Sequence, residues 1–484
     1  MATVMAVDEG GLVPPVEIPI TGSVYPANAQ LSRGDLIAYG LAAFGPGLLL
    51  TPMTLYVPQL YAKEFGISLA ALGAALVAMR FVSAFTDQII GYISDRTRTR
   101  WGARKPWIVV GATLTLVAAY FLLKPPPIVG IGYLIAWKVV YDLAYTLTDI
   151  NYTAWGAELS SDYDARSRIT GMRGVFNQIG NLANDALPII VAFLGLTATS
   201  AYSIKTLSYF FLVALVVIPC TTAYSLAKAP RGAPLPADRP NLIGFLRSVR
   251  HNKPLWMYVA SFTLGGIGLG VLQVMFTFYD GFLKLGAWYP YLMTVFALTM
   301  AGVVPVWAIV AQKIGKHRAY IASVVIATTA MQGYWLIDTQ TMSQGVIVAI
   351  SMVIVIFIGI GAGALIVVSP AILADIADYG RLKTGEQRTA GYYAFYMLTT
   401  KIAMAVGAGG AFMMLSAFGY NAKAGATNTG LAAFGMVFTV ALLPAIPKLI
   451  GAAIMWNFPI DRRRHGIIQR RLAQRAERHA RGAG

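Results

Sequence analysis

The chain of 484 residues is 57% hydrophobic and only 12% charged, and its mean hydropathy is +0.62. Since a soluble protein usually carries roughly a quarter charged residues, this composition excludes a soluble enzyme and indicates an integral membrane protein. One cysteine, Cys220, excludes an intrachain disulfide, and the four histidines fall in polar segments, which argues against a metal centre or another resident cofactor inside the membrane.

Twelve apolar runs of about 20 to 28 residues are each long enough to form a membrane-spanning helix. The first 32 residues contain no Lys or Arg, so they lack the basic region of a cleaved signal and predict a cytoplasmic tail at 1–32. The predicted fold class is all-α integral membrane with twelve transmembrane helices. The predicted spans are 35–60, 68–94, 106–123, 129–156, 168–196, 205–228, 255–279, 287–311, 319–338, 345–372, 389–416 and 430–456.

The basic residues fix the expected orientation, because cytoplasmic loops carry an excess of Lys and Arg. With both termini in the cytoplasm, 28 of the 38 basic residues lie in cytoplasmic segments and five in the opposite loops. The net charge of +17 is therefore a topology signal for a multi-pass protein of a bacterial inner membrane, and nucleic acid is not an expected partner.

The longest internal loop, 229–254, contains RGAPLPADRP and separates six spans from six spans. It predicts a cytoplasmic linker between an N-terminal bundle at 33–228 and a C-terminal bundle at 255–456. This layout is that of major-facilitator transporters, whose substrate cavity lies between the halves at the middle of the bilayer. The basic tail at 457–484 is expected to contact anionic lipid or solvent.

Ionisable residues inside the spans are the informative ones, since a lone charge at the bilayer centre costs about 2.5 to 3.5 kcal/mol on the mildest scale. Lys448 lies near the end of the last span and is expected to extend towards the membrane surface. The other eight comprise four positive and four negative residues, which predicts a wet or tightly paired interior. These eight are Arg80, Asp87, Lys138, Asp142, Asp149, Arg173, Asp185 and Lys401.

Helical spacing places most of these charges on polar stripes, because residues three, four or seven apart share a helix face. At about 1.5 Å per residue, Asp87, Asp149 and Arg173 lie about 10 Å from the cytoplasmic ends of their spans and are expected to meet. Lys138 and Asp185 lie deeper and are expected to pair. The alternative is that such residues form only structural bridges between helices.

Two cytoplasmic segments carry a family resemblance: GYISDRTRTRWGARKPW at 91–107 and ADIADYGRLKTGEQRTAG at 374–391. Together with YTLTDI at 145–150, they resemble the signature segments of the glycoside-pentoside-hexuronide:cation symporter family, whose best-known member is the melibiose permease. The resemblance covers nearly the whole chain.

The resemblance implies roles for particular residues. It implies that Asp87, Asp149 and Thr146 bind the cation, and Ser83, on the same polar stripe as Asp87, completes the predicted cation-binding set. It implies that Asp149 and Arg173 contact the substrate, and four further residues of the polar stripes complete the predicted substrate-binding set: Tyr145, Thr153, Asn177 and Tyr396. Lys401, near the cation site, is grouped with Arg80 and Asp142 as charge-balancing residues.

Three departures from the melibiose permease bear on the ligands. Ser83 stands where that permease has a second carboxylate of the second span, which weakens a sodium site and favours a proton. Pro46 and Gly47 replace a lysine and the sugar-binding aspartate of the first span, and Thr153 replaces a tryptophan. The coupling ion is therefore either H⁺ or Na⁺, with no further metal expected, and melibiose is a poor candidate substrate.

The basic loop after the second span and the acidic segment before the eleventh are expected to pair across the halves when the cytoplasmic side closes. The alternative is that both are simply solvated. The predicted gate residues are Asp95, Arg96, Arg98, Arg100, Asp375, Asp378 and Arg388.

These observations predict a monomeric, non-enzymatic secondary transporter in the lipid bilayer. It would couple H⁺ or Na⁺ to symport of a small solute, a sugar, glycoside or sugar acid, by alternating access. One alternative is a carrier or exporter of a lipid-like or other non-sugar molecule. Another is a membrane-embedded enzyme or sensor, which the lack of His or Cys in the spans and of a soluble domain disfavours.

Overall fold

The structure is a computed structural model that describes residues 31–97, 99–160, 163–230, 249–250, 252–384 and 389–482. Within these ranges the chain is helical and contains no β-strand. Residues 1–30 of the predicted tail and most of the predicted linker at 229–254 lie outside the described residues.

The first predicted span is divided into three short helices joined through a π-helical turn at Pro52–Tyr56. Proline has no backbone N–H, so Pro52 cannot continue the regular α-helical hydrogen bonding. Ser32 and Asp35 cap the start of this span reciprocally, each side chain bonding the other's backbone N–H at 3.1 Å. The helices of the N-terminal half are α1 (Arg33–Leu41), α2 (Phe44–Thr51), α3 (Val57–Phe65), α4 (Leu69–Arg96), α5 (Lys105–Leu123), α6 (Ile131–Glu158), α7 (Tyr163–Phe193) and α8 (Ile204–Lys228).

The C-terminal half has similar breaks at its spans. The seventh span continues beyond α9 through a 3₁₀ turn and a π-helical turn at Thr277–Phe282, and the eighth bends by 44° beside Pro305. The helices of this half are α9 (Lys253–Val271), α10 (Tyr289–Gly302), α11 (Val304–Ile314), α12 (Lys316–Gln332), α13 (Gln344–Thr384), α14 (Thr389–Ala417), α15 (Leu431–Ala441), α16 (Ala445–Trp456) and α17 (Arg462–Gly482).

Eight helical segments of the described chain are long and apolar enough to cross a membrane, and the bent pair α10 and α11 makes a ninth. The other three predicted spans coincide with α6, α7 and α12. Helices α6 and α7 carry the polar stripes predicted from the sequence, and α12 has only 17 residues. Helices α6 and α7 are therefore less apolar than the other spans because they supply most of the charged residues inside the bundle.

The bundle has two faces, distinguished by the helix ends they contain. Tyr39, in the first part of the first span, stacks on Tyr152 near the end of α6, and Arg462 of α17 donates to the carbonyl of Gln312 near the end of α11. We call the face that holds the start of α1 and the end of α16 the terminal face. The opposite face, which holds the end of α3, is the far face.

The two halves share one hydrophobic core at the far face and have separate cores at the terminal face. The shared core joins Tyr56 and Leu60 of the N-terminal half to Phe276 and Tyr289 of the C-terminal half. At the terminal face, one core contains residues of the N-terminal half alone and another contains residues of the C-terminal half alone. The crevice between the halves therefore opens to the terminal face.

The halves meet along two helix pairs, α4 with α14 and α7 with α10. Helices α4 and α14 approach closely at glycines: a Cβ atom on Gly73 would lie 2.6 Å from the carbonyl oxygen of Gly409. Small residues permit such backbone contact between membrane helices.

The basic tail forms α17, which packs against α13. Gln469 donates to Asp378 at 2.6 Å, and His465 lies 3.2 Å from the same carboxylate. The expectation that the tail contacts only lipid or solvent is wrong for this segment, because the acidic end of α13 provides a partner within the protein.

Candidate functional site

A charged cluster on α6 and α7 forms the first part of the site. Arg173 donates from Nη2 to Asp149 Oδ1 and from Nη1 to Thr153 Oγ1, each at 2.5 Å. The Asp149 side chain is 35% exposed and that of Arg173 25%, so the pair can be reached from the crevice. This arrangement leaves hydrogen-bonding capacity on both groups, which suits bidentate contacts with solute hydroxyls.

The position of this cluster is fixed by aromatic residues behind it. Tyr152 donates to the carbonyl of Tyr39 at 2.6 Å, and Tyr39 donates to the carbonyl of Tyr152 at 3.0 Å. The two rings stack with centroids 4.7 Å apart, and the Arg173 guanidinium lies 5.2 Å from the Tyr152 centroid. Because α1 and α6 are held together here, Asp149 and Thr153, one helical turn apart, face Arg173 in a defined geometry.

Asp87 forms the second part of the site, and its partner comes from the other half of the protein. Its Oδ2 lies 3.5 Å from the Lys401 Nζ of α14. Asp87 Oδ1 is buried and has no hydrogen-bond partner among the described residues, whereas the Lys401 side chain is 63% exposed. Lys401 is the cation in contact with Asp87, and Arg173 is the cation in contact with Asp149. The expected meeting of Asp87 with the other two residues stays a prediction.

Arg80, Lys138 and Asp142 lie deeper, around a cavity of about 10 Å³ between the halves. Lys138 forms an ion pair with Asp142, four residues along the same helix, and the C-terminal half contributes Gln273 to the cavity. The expected pair of Lys138 with Asp185 is wrong. Asp185 instead accepts a hydrogen bond from Asn184 at 2.8 Å.

The other residues assigned to binding have more varied surroundings. Ser83 donates to the carbonyl of Met79 at 3.1 Å, so its hydroxyl proton is used within α4. Asn177 accepts from Asn181 at 3.2 Å on α7. Tyr145 lines a small cavity of the N-terminal half, and Tyr396 lines a larger one in the C-terminal half. Thr146 is half-buried on α6.

The far face is closed by residues that had not been predicted from the sequence. Gln59 of α3 donates to the carbonyl of Gln273 at 2.5 Å and accepts from the backbone N–H of Thr277 at 2.8 Å. One turn further, Lys63 forms an ion pair with Asp280 at 2.7 Å. A signal was present, since Gln59 and Lys63 share a helix face, but nothing in the sequence indicated their partners in the other half.

The acidic residues of the predicted gate, Asp95, Asp375 and Asp378, each have a partner within their own half. Arg104 contacts Asp95 at 2.6 Å and Glu158 at 2.8 Å, while Lys316 contacts Asp375 at 2.7 Å. Arg96 lies over the ring of Tyr92, and Arg100 is exposed. Arg98 and Arg388 lie outside the described residues. Pairing across the halves on closure of the terminal face stays a prediction, because that face is open in this structure.

The comparisons with known proteins agree with this architecture. A family model described as MFS/sugar transport protein matches residues 38–462, and the chain belongs to this family. The match confirms the resemblance to the glycoside-pentoside-hexuronide:cation symporters of the major facilitator superfamily, and it makes the protein a multi-pass membrane transporter rather than an enzyme.

Among its relatives, an uncharacterized symporter of Synechocystis sp. is 24% identical over 91% of this chain and 96% of its own length. A glucuronide carrier protein homolog of Escherichia coli (strain K12) is 22% identical over 90% of this chain and 94% of its own. The crystal structure of the nucleoside transporter NupG superposes with a TM-score of 0.63 at 11% identity, covering 89% of this chain and all of that one. The last likeness shows the fold alone.

Proposed function

We propose that the protein is a proton-coupled symporter of a sugar-like solute that works by alternating access as a monomer. The observation that carries this proposal is the division of the interface between the halves. Polar and aromatic contacts close the far face, while Asp149, Arg173 and Lys401 are accessible from the terminal face. Alternating access requires such one-sided closure around a central site.

The terminal face is assigned to the cytoplasm of a bacterial inner membrane, because it carries the excess of Lys and Arg. In this orientation the structure is the inward-open state. The far-face contacts of Gln59 and Lys63 would break, and the predicted gate residues would pair, when the transporter turns outward. Both conformations are then stabilised by contacts that the other lacks, which permits either to be populated.

Asp87 is assigned as the coupling carboxylate. Its Oδ1 has no described hydrogen-bond partner, and its Oδ2 is 3.5 Å from Lys401, so protonation would release Lys401 and weaken the contact between α4 and α14. Sodium prefers several oxygen ligands, and Ser83, which replaces a carboxylate, already donates within its helix. These features favour H⁺ over Na⁺, and Thr146 and Asp149 are kept as the further predicted members of the cation site.

Asp149 and Arg173 are assigned to the solute. The two groups present acceptors and donors side by side, as vicinal sugar hydroxyls require. The relatives support this class of solute, since one is named a glucuronide carrier homolog and another a symporter.

The test uses the purified chain in proteoliposomes with an imposed proton gradient. Uptake is measured for labelled neutral methyl glycosides, methyl glycosiduronic acids and lysolipids. We expect the wild type to accumulate a glycoside, and Asp87→Asn to lose accumulation while retaining exchange of that glycoside. Asp338→Asn, which alters an exposed loop carboxylate, is the matched control.

Three results would contradict the proposal. Concentrative uptake by D87N at the wild-type level would show that Asp87 is not the coupling carboxylate. Accumulation driven by a sodium gradient alone would show that the coupling ion is Na⁺. Transport of lysolipids without any glycoside would favour the lipid-like carrier.

A further inference from the structure

The C-terminal half contains an internal cavity of about 230 Å³ that the assignments above leave mostly unused. We call it the Lys448 cavity. It is partly open and lies between α9, α10, α12, α13, α14 and α16. Its lining includes Phe262, Tyr320, Ser369, Tyr396, Thr400 and Lys448.

Lys448 is the ninth charged residue inside the predicted spans. The other eight comprise four positive and four negative residues, so no negative residue is left to balance the charge of Lys448. It was expected to extend to the membrane surface, and the structure shows that this was wrong, because Lys448 lines the interior cavity. Its hydrocarbon stem lies against Gly268, where a Cβ atom would come within 2.9 Å of two stem carbons. Glycine at this position leaves the room that the lysine side chain occupies.

The positive charge of Lys448 has no carboxylate partner among the described residues. The acidic groups closest along the spans of this half are already used: Asp280 pairs with Lys63 at the far face, and Asp375 pairs with Lys316 at the terminal face. Lys448 is half-buried in a mostly apolar cavity, where an ammonium group is costly unless an anion accompanies it. The protein itself does not supply that anion within the described chain.

The remaining lining of the cavity suits a ring with hydroxyl groups. Phe262 stacks on Tyr320 with centroids 4.8 Å apart and meets Tyr396 edge-on at 5.8 Å. Thr400 Oγ1 is buried and has no hydrogen-bond partner within the part of the chain that the structure describes. Aromatic faces pack against sugar or aglycone rings, and an unpaired hydroxyl offers a hydrogen bond to a bound group.

We propose that the Lys448 cavity binds the oxyanion group of the transported solute, so that the substrate is an acidic sugar or glycoside rather than a neutral one. This inference rests on the proposed transport function and adds Lys448 and Thr400 to the substrate site, beside Tyr396, which the sequence already placed there. Thr400 directly precedes Lys401 on α14, so a ligand here contacts the helix that carries the partner of Asp87. Binding of the anion and titration of the coupling carboxylate therefore act on one helix.

The test compares two probes that differ in one group, methyl β-D-glucopyranoside and its 6-carboxylate, methyl β-D-glucopyranosiduronic acid. Binding to the purified full-length protein in lipid nanodiscs is measured by calorimetry, and proton-driven uptake is measured in proteoliposomes. We expect the wild type to bind the carboxylate probe about tenfold or more tightly than the neutral probe, as for a charge-assisted hydrogen bond.

Lys448→Gln should abolish this preference by weakening binding of the carboxylate probe, while Lys448→Arg should restore most of it. Lys423→Gln, which removes an exposed lysine, should behave as the wild type. Size-exclusion profiles establish that each variant is folded. If K448Q does not fold, K448R, which keeps the positive charge, still tests whether that charge maintains the preference for the carboxylate probe.

The outcomes separate the two proposals. Proton-driven uptake of both probes with no preference for the carboxylate, or a preference that survives in K448Q, overturns the role of Lys448 and leaves the transport function intact. Failure of the wild type to bind or accumulate either probe overturns both.

Discussion

The ion pair between Lys63 and Asp280 offers the sharpest test of the inward-open interpretation. It joins the two halves at the far face with a separation of 2.7 Å, and the Asp280 side chain is only 7% exposed. Since the pair must break for the far face to open, Asp280→Asn should destabilise the inward-open state relative to the outward-open state. The fold of each half should be little affected.

The magnitude follows from the geometry of the pair. A hydrogen bond between charged groups contributes about 1.5 to 3 kcal/mol when buried, but the Lys63 side chain is 30% exposed and partly screened. We therefore expect a loss of about 1 to 2 kcal/mol, which lowers the ratio of inward-open to outward-open molecules about five- to thirtyfold.

The assay measures the rate at which a reagent in solution labels a cysteine inside the crevice. Cys220, the single native cysteine, is exposed and is first replaced by serine. A reporter cysteine, T153C, is then labelled with a membrane-impermeant maleimide in inverted vesicles, where the terminal face is outward. Labelling should slow in D280N, remain unchanged in the control D338N, and slow no further when D280N is combined with Lys63→Met. Equal or faster labelling in D280N would refute the assignment of this pair to the inward-open state.

Two further predictions concern stability, measured as the melting temperature of purified protein in detergent micelles. Asp142→Asn should destabilise by about 3 to 5 kcal/mol, because it leaves Lys138, only 2% exposed, without its ion-pair partner. The double variant K138M/D142N should recover most of that loss, and an unshifted melting temperature for D142N would contradict the reasoning. Gly47→Ala should cost about 1 to 3 kcal/mol, since the new Cβ would lie 2.2 Å from the carbonyl oxygen of Asn177. Gly132→Ala, with no atom within 4 Å, is its control, and equal melting of the two variants would show that α2 and α7 pack less tightly than described.

The amino-acid sequence by itself determined the features that depend on one helix at a time. Hydropathy gave the helical membrane class, and 3.6-residue spacing placed Asp149 and Thr153 on one face of α6. The motif segments indicated the family and drew attention to Arg173 and Lys401. These predictions succeeded because the geometry within a helix is nearly constant.

The tertiary structure decided everything that depends on how helices are rotated and packed against one another. Lys138 and Asp185 lie at comparable distances from the ends of their helices, yet Lys138 forms its ion pair with Asp142 on its own helix. Lys448, a surface residue by its position along the span, lines an interior cavity because Gly268 makes room for it. The far-face contacts of Gln59 exist only because two distant parts of the chain meet in one of the conformations of the protein. Spacing along a helix carries no information about a partner on another helix, nor about which of two conformations brings them together.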